Sequence, residues 1–343
     1  MAAENSFVKF DYHQFNRDNF CKIISRFGKP QELRILYIST YQPDYTRTET
    51  LLEVIRQSVA GVTEVLVGDK WLKYLRAIYN LIKLQKHCDV IVVGFRGQEV
   101  LPFLKLFARK PLIFDAFLSA YDTLCFDRRT FKPESLVGKF LKWYDRFLCR
   151  LSDVVLVDTK AHKEYYELEF GVSNVDYVYV GCNEELFRPM GVERRGEKFV
   201  VFWYGYANPL QGVDVVLRAA KLLEDEEGVV FKLVGPVRKK YPKLIESLGL
   251  KNMEFVDFVA YEKLAEEINK ADVCLGGHFS DRQKAGRVIA GKIFQFLACE
   301  RQTILADNAA NRELFEESGP VHFVKANDAQ ALPDKILELR KMG

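Results

Sequence analysis

Residues 276–299 read GGHFSDRQKAGRVIAGKIFQFLAC, and the reading of this stretch decides the fold. The short apolar run 271–275 ahead of it ends on Gly276 and Gly277, and a polar loop carrying Arg282, Lys284 and Arg287 follows. Ile289, Ile293, Phe296 and Leu297 then recur at helical spacing on one face. A strand, a glycine-opened basic loop and a helix start make an anion site, because free N–H groups, the positive end of the helix dipole and mobile cations meet there. Lys292 and Gln295 lie three apart on the first turns, so both can address one ligand.

Outward from this unit the same alternation repeats. LRILYIS (33–39), TEVLVG (63–68), DVIVVG (89–94), PLIFDAF (111–117) and DVVLVD (153–158) are short apolar runs bounded by Gly, Pro or Asp, with helix-periodic segments between them. A second series runs FVVFWYG (199–205), VVFKLVG (229–235), MEFVDFV (253–259), ADVCLGG (271–277), QTILAD (302–307) and VHFV (321–324). Strands alternating with helices predict α/β structure, with parallel sheets covered on both faces. The interval 175–198, rich in Gly, Pro and charge, reads as a break. Two doubly wound Rossmann-like domains follow: residues 1–190, with 1–30 as an aromatic leading arm, and residues 191–343. In open α/β sheets ligands lie beyond the carboxyl ends of the strands, so the residues after each run are the first candidates for chemistry.

A chain of 343 residues suits two domains of about 150. With 48% hydrophobic residues, including 26 Phe and 16 Tyr, it can build large cores. A net charge of only +3 gives no global pull towards nucleic acid. The seven cysteines are scattered without CxxC spacing, which argues for a reducing compartment and against a disulfide frame or zinc site. No apolar run approaches the ~20 residues of a bilayer span, and residues 1–14 show no secretion signal. The expected location is cytoplasmic, or peripheral on the cytoplasmic face of a membrane.

KAGRVIAGKIFQFLAC (284–299), followed by QTILAD and by Asn311, Arg312, Glu313 and Leu314, resembles the donor segment of glycosyltransferase family four, the glycosyl transferases group 1. FDAFLSAYDT (114–123), DVVLVDTKAHKEYYELEFGV (153–172), GCNEELFRP (181–189) and GYANPLQGVDVVLRAA (205–220) carry the likeness from about residue 33 to the C-terminus. The resemblance implies the GT-B architecture, two Rossmann-like domains facing a cleft. It also implies transfer of a sugar from a nucleotide diphosphate-sugar donor to a hydroxyl or lipid-linked acceptor, metal-independent, with anomeric configuration retained and no cofactor.

On the donor side it points to Gly205, Tyr206, Gly235, Phe258, Val259, Arg287, Val288, Lys292 and Gln295. The chain departs from the family pattern at two places. Tyr206 and Gln211 stand about where many members carry an Arg and a Lys that clamp the diphosphate. Arg287 and Gln295 stand where members carry two glutamates separated by seven residues. The reading is that the charges have traded places, with Arg287 and Lys292 neutralising the leaving diphosphate. Preorganised cations and N–H groups would stabilise the charge that builds on the β-phosphate oxygens. No Asp-x-Asp triplet occurs, so a metal-bridged site is not indicated. His278 lies in the same loop, in reach of sugar or phosphate.

On the acceptor side Asp115 is the candidate base or electrostatic partner at the end of its strand. Ser119 and Asp122 are further contacts, and Arg47 a phosphate contact. The segment KWLKYLRAIYNLIKLQK, from Lys70 to Lys86, holds cations and interfacial aromatics but no acid, which suits an anionic membrane surface; residues 140–150 extend it. Two other readings stay open: a catalytically silent GT-B subunit that binds a partner enzyme or nucleotide, and a sugar-nucleotide epimerase on the same fold.

Overall fold

A computed structural model describes residues 11–41, 45–68, 72–192, 196 and 198–342. It divides into two compact units, one spanning Asp11–Gly181 and the other beginning at Cys182, and each is described by itself. The sequence-derived boundary at 190/191 lies inside the second unit. Residues 1–10 of the arm, 193–195 and 197 of the connecting interval, and Lys70 and Trp71 of the cationic segment lie outside the described residues.

The first unit carries strands β1 (Arg34–Ser39), β2 (Gly61–Leu66), β3 (Val90–Val93), β4 (Leu112–Asp115), β5 (Val154–Val157) and β6 (Val175–Tyr177). All pair in parallel, in the order β2-β1-β3-β4-β5-β6. Every residue of β3, β4 and β5 is buried, which is why these strands read as unbroken apolar runs rather than alternating ones. The edge strand β2 keeps Thr63 and Glu64 in water. The helices are α1 (Tyr12–Ile24), α2 (Thr46–Ser58), α3 (Lys73–Leu84), α4 (Leu101–Phe107), α5 (Leu136–Leu151) and α6 (Lys160–Phe170). They cover both faces. Phe20 and Ile24 of α1 and Leu51 and Ile55 of α2 pack against Ile35, Tyr37 and Val92. Leu81, Leu101, Leu104 and Leu148 pack against Leu36, Ile38, Ile91 and Val93 on the other side.

Two elements differ from the sequence expectation. The interval read as a break supplies β6, which joins β5 through Val155↔Val175 and Val157↔Tyr177. Within the arm, α1 is a helix of the unit's own core. Asp11 caps it by accepting the Gln14 N–H at 2.9 Å. The amide of Asn16 exchanges two hydrogen bonds with the Tyr179 backbone, at 3.0 and 2.9 Å, and Phe20 is fully buried.

The second unit carries β7 (Phe199–Tyr204), β8 (Val229–Val234), β9 (Met253–Val256), β10 (Val273–Gly277), β11 (Gln302–Asp307) and β12 (Val321–Lys325). Its helices are α7 (Val213–Leu222), α8 (Val237–Lys240), α9 (Pro242–Leu248), α10 (Tyr261–Asn269), α11 (Gly291–Ala298), α12 (Ala309–Arg312) and α13 (Ala331–Met342). The strands are again parallel, in the order β12-β11-β10-β7-β8-β9. That is the dinucleotide-fold order, and its direction reverses between β7 and β10. In the first sheet the reversal falls between β1 and β3. No disulfide joins the seven cysteines. Among the described residues no helix is long and apolar enough to cross a membrane.

Candidate functional site

The switch point of the second unit brings together two stretches that the sequence keeps eighty residues apart: the loop after β7 and the basic segment after β10. At the carboxyl ends of β7 and β8 the backbones touch. Gly235 has φ +130°, and a Cβ there would lie 2.0 Å from the Gly205 carbonyl oxygen. Gly212, in the left-handed region at φ +68°, opens α7, and a Cβ there would strike the Phe279–Ser280 backbone at 2.5 Å. These glycines let the two loops close on each other, which no side chain permits.

Lys292 lies in the first turn of α11 and is buried. Its Nζ donates to the Tyr204 carbonyl at 3.3 Å and to Gln211 Oε1 at 2.7 Å, and lies 4.4 Å from the centroid of the Trp203 ring. Among the described residues no carboxylate forms an ion pair with it. Burial holds its pKa well below the usual lysine value. A cation at a helix N-terminus also opposes the macrodipole. That first turn has no capping side chain, Ala290 being its N-cap; the Ile293 N–H donates to the Ala290 carbonyl at 2.9 Å, and no side chain caps the N–H groups of Gly291 and Lys292.

His278, buried beside this ammonium, has its pKa pushed down to about 3, by burial first and then by Lys292 and Lys284; a hydrogen bond with the Val288 backbone works the other way. The ring is therefore neutral at physiological pH. Lys284 is buried as well.

The other donor-side candidates fall around this centre. Gln295 is buried, and its Oε1 accepts the hydroxyl hydrogen of Tyr204. Val288 is buried and Arg287 half-buried at the end of a short 3-10 turn, where its N–H donates to the Lys284 carbonyl. Gly205 and Val259 are half-buried, whereas Tyr206 and Phe258 are exposed after β7 and β9. Sequence reasoning missed Tyr204 and treated Gln211 only as a lost cation. It counted Lys284 among the cations of a polar loop without expecting it to be buried, because a basic loop carries no mark that one of its lysines is buried.

The acceptor-side candidates of the first unit are brought to one end of the sheet but are turned inwards. Arg47 and Asp115 are 1% and 0% exposed and are each other's partners, with Nη2 to Oδ1 at 3.0 Å and Nε to the two carboxylate oxygens at 3.2 and 3.3 Å. The remaining guanidinium donors go to the Val178 carbonyl at 2.6 Å and the Val157 carbonyl at 3.4 Å. Burial pushes the Asp115 carboxyl up and the adjacent guanidinium opposes this. In this arrangement neither side chain is open to a ligand, and the pair fastens α2 to β4, β5 and the segment after β6.

Ser119 is buried too. Its hydroxyl donates to Asp145 Oδ2 at 2.6 Å and accepts the Asp122 N–H at 2.9 Å. Asp122 is fully buried at the start of a π-helical turn, Asp122–Asp127. Asp145, on α5, also accepts the Tyr121 N–H at 2.8 Å, and burial pushes its pKa up to about 6.

Residues 198–341, nearly the whole second unit, match the family described as Glycosyl transferases group 1. Over those residues the second unit is similar to a glycosyl transferases group 1 domain. It is the family that the donor segment resembles.

Solved structures match the fold over most of the chain. Anabaena HepE in complex with UDP and glucose superposes with a TM-score of 0.66 at 16% identity, covering 90% of each chain. Sucrose-phosphate synthase from Thermosynechococcus elongatus gives 0.67 at 12% identity, again over 90% of each chain. A glycosyltransferase from Rickettsia africae gives 0.61 at 12% identity, over 91% of this chain and 89% of that one. At such identities the likeness is one of fold, and that fold is GT-B, two doubly wound α/β units. No curated protein matches the chain by sequence.

Proposed function

We propose that the protein is a metal-independent, retaining glycosyltransferase that draws a sugar from a nucleotide diphosphate-sugar, with the diphosphate held at the β7/β10 switch point of the second unit. One observation carries the reading: Lys292 is a buried cation at that switch point, held among the described residues by neutral acceptors and an aromatic ring, beside a helix start with no side-chain cap. Such a charge is costly to bury unpaired, and an anionic ligand relieves the cost. The ammonium and the α11 N–H groups would stabilise the leaving nucleoside diphosphate. Arg287 adds a second cation, Gln295 and Val288 contact the nucleoside, and Tyr206, Phe258 and Val259 offer the base a partly apolar setting. Support for a nucleotide-sugar comes also from HepE, a fold neighbour solved with UDP-glucose.

The acceptor is proposed to be lipid-linked and the protein peripheral on an anionic, cytoplasmic membrane face. The support lies in α3, α4 and α5, which pack side by side. They expose Leu75, Tyr79 and Ile82 (α3), Phe103 and Leu106 (α4), and Phe140 and Trp143 (α5). Residues 72–87, 100–112 and 128–151 hold fourteen Lys and Arg against two acids, in a chain whose totals are 50 and 47. One of those two acids, Asp145, is buried. Large apolar side chains set among cations are the composition of an interfacial surface.

A thermal-shift panel of UDP-, GDP- and ADP-sugars tests the donor reading. One base should raise the melting temperature in the wild type and fail to do so in Lys292→Met. No shift with any donor, or an equal shift in the variant, overturns it. EDTA-treated enzyme and the anomeric signal of the product in proton NMR check metal independence and stereochemistry. Flotation with phosphatidylglycerol vesicles checks the membrane surface: binding should weaken with salt and in Leu75→Asp/Tyr79→Asp, and its absence in the wild type removes the proposal.

A further inference from the structure

The first sheet has its own switch point, between β1 and β3, and none of the residues gathered there belongs to the Arg47–Asp115 pair. Tyr41 follows β1, Phe95 and Arg96 follow β3, Phe117 follows β4, and Tyr45 precedes α2. The Tyr45 and Phe95 rings stack at 4.2 Å, and Tyr41 and Phe117 meet Phe95 edge-on at 5.3 and 5.6 Å. The Arg96 guanidinium lies 4.8 Å over the Tyr41 ring. Lys73, the first residue of α3, lies 3.9 Å from Glu99, and Arg96 lies 3.7 Å from the same carboxylate. A small cavity is lined by Thr40, Tyr41, Lys73, Arg96 and Glu99.

Three properties mark this as a place for a ligand. It sits where open α/β sheets bind ligands, beyond the carboxyl ends of the strands at the reversal of strand order. Two cations share one carboxylate at long range, so a positive charge is left over beside an aromatic floor. Arg96 is also held at φ +57°, a left-handed conformation that is unfavourable for a non-glycine residue and tends to persist at ligand sites. An aromatic floor suits the C–H face of a sugar ring, and convergent cations suit phosphate. Continuity with the lipid-facing helices narrows the source. Lys73 begins α3, whose exposed Leu75, Tyr79 and Ile82 are part of that face, so a headgroup rising from a bilayer there meets Lys73.

We propose that this cluster is the acceptor subsite and takes a lipid-borne sugar diphosphate, with the diphosphate between Lys73 and Arg96 and the sugar ring on Tyr41. This deepens the lipid-linked acceptor reading and rests on it. It replaces Arg47, Ser119 and Asp122, which are turned inwards, as the acceptor contacts of the first unit.

The test measures binding of glucosyl citronellyl diphosphate, citronellyl diphosphate and inorganic pyrophosphate to the intact protein by calorimetry, with UDP saturating so that the donor site is filled. The sugar-bearing probe should bind most tightly in the wild type. Arg96→Gln and Lys73→Gln should each weaken it at least fivefold. Tyr41→Leu should weaken it more than it weakens citronellyl diphosphate. All three positions are at least partly open to solvent, and unchanged UDP affinity in each variant certifies the fold. The proposal fails if both charge variants bind the probe as the wild type does. It fails equally if pyrophosphate alone binds as tightly as the sugar-bearing probe, which would leave a site for free anions. A wild type that binds the probe but not UDP sinks the donor reading and leaves this one standing.

Discussion

Lys292 donates to Gln211 Oε1 at 2.7 Å, an ammonium meeting an amide where a carboxylate would be expected. The two residues explain each other. Gln211 stands about where many group 1 glycosyltransferases are expected to carry a cation, and a cation at that place would face the Lys292 ammonium across hydrogen-bond distance. With a neutral acceptor at 211, the positive charge can arrive from α11 instead. On the proposed reading the buried charge is then under-compensated until an anion enters, which is the state a diphosphate site needs before it binds.

Lys292→Met should separate stability from affinity. Removing one partner of a matched buried ion pair is strongly destabilising, but among the described residues Lys292 has no anionic partner to leave behind. The ligand-free variant should therefore melt within a few degrees of the wild type, or above it. Its nucleoside diphosphate affinity should fall about ten- to hundredfold, the loss of one charge-assisted hydrogen bond worth ~1.5–3 kcal/mol. Melting curves with and without UDP check both halves.

Gln211→Glu should trade in the opposite direction. The new carboxylate would pair with Lys292, raising the stability of the free protein, by about 1–2 kcal/mol where desolvation is already met by the lysine. It would also repel the incoming diphosphate, so UDP affinity should drop while the melting temperature climbs. Gln211→Met, which removes the acceptor without adding charge, should lower the melting temperature.

The pH dependence has a definite sign. Burial holds Lys292 well below its ordinary pKa of 10.5. Between the depressed value and 10.5 the unfolded chain binds the proton and the folded chain does not, so stability of the free protein rises with pH across that window and is lost as pH falls through it. A bound anion favours the ammonium, so UDP binding at a pH inside that window should be accompanied by proton uptake, visible in calorimetry as a buffer-dependent enthalpy that Lys292→Met abolishes. Below the window Lys292 is already charged and no uptake is expected. His278 acts on the acid side. Held at about 3, it leaves the unfolded chain with the extra proton between about 3 and 6.5, so stability falls as pH drops through that range; His278→Gln should flatten this slope.

Breaking the Arg47–Asp115 pair should cost folding rather than chemistry. Both side chains are shut away from solvent, and Arg47→Met leaves an uncompensated carboxylate, worth about 3–5 kcal/mol of stability. Arg47→Met/Asp115→Leu should recover part of that loss. Turnover per folded molecule in Asp115→Asn, measured below its melting temperature, should stay within a fewfold of the wild type; a thousandfold loss at full folding would restore Asp115 to the reaction.

The double α/β pattern was legible because both-face burial in strands such as VIVV and LIFD leaves an unmistakable apolar run. β6 was not, since VDY is three residues long and exists only through its register with β5, from Val155 to Val175. The basic segment after β10 was legible as an anion site, because glycines, cations and a helix start are local features. Its interior was not. That Lys292 reaches Gln211, or that Arg47 spends itself on Asp115, depends on residues 81 and 68 positions apart, a distance over which charge alone specifies no partner. For the same reason the cluster of Tyr41, Phe95 and Arg96 was invisible: it is assembled from the ends of different strands, and no single loop holds its pattern.

The contact between Gly235 and the Gly205 carbonyl has a practical corollary for anyone wishing to alter what this protein transfers. Even a methyl group at 235 must wedge the ends of β7 and β8 apart, so a saturation library at that position should return glycine whatever sugar is used for selection. Randomisation is better aimed at Tyr206 and Phe258, whose side chains already lie in solvent and can change without forcing the sheet open.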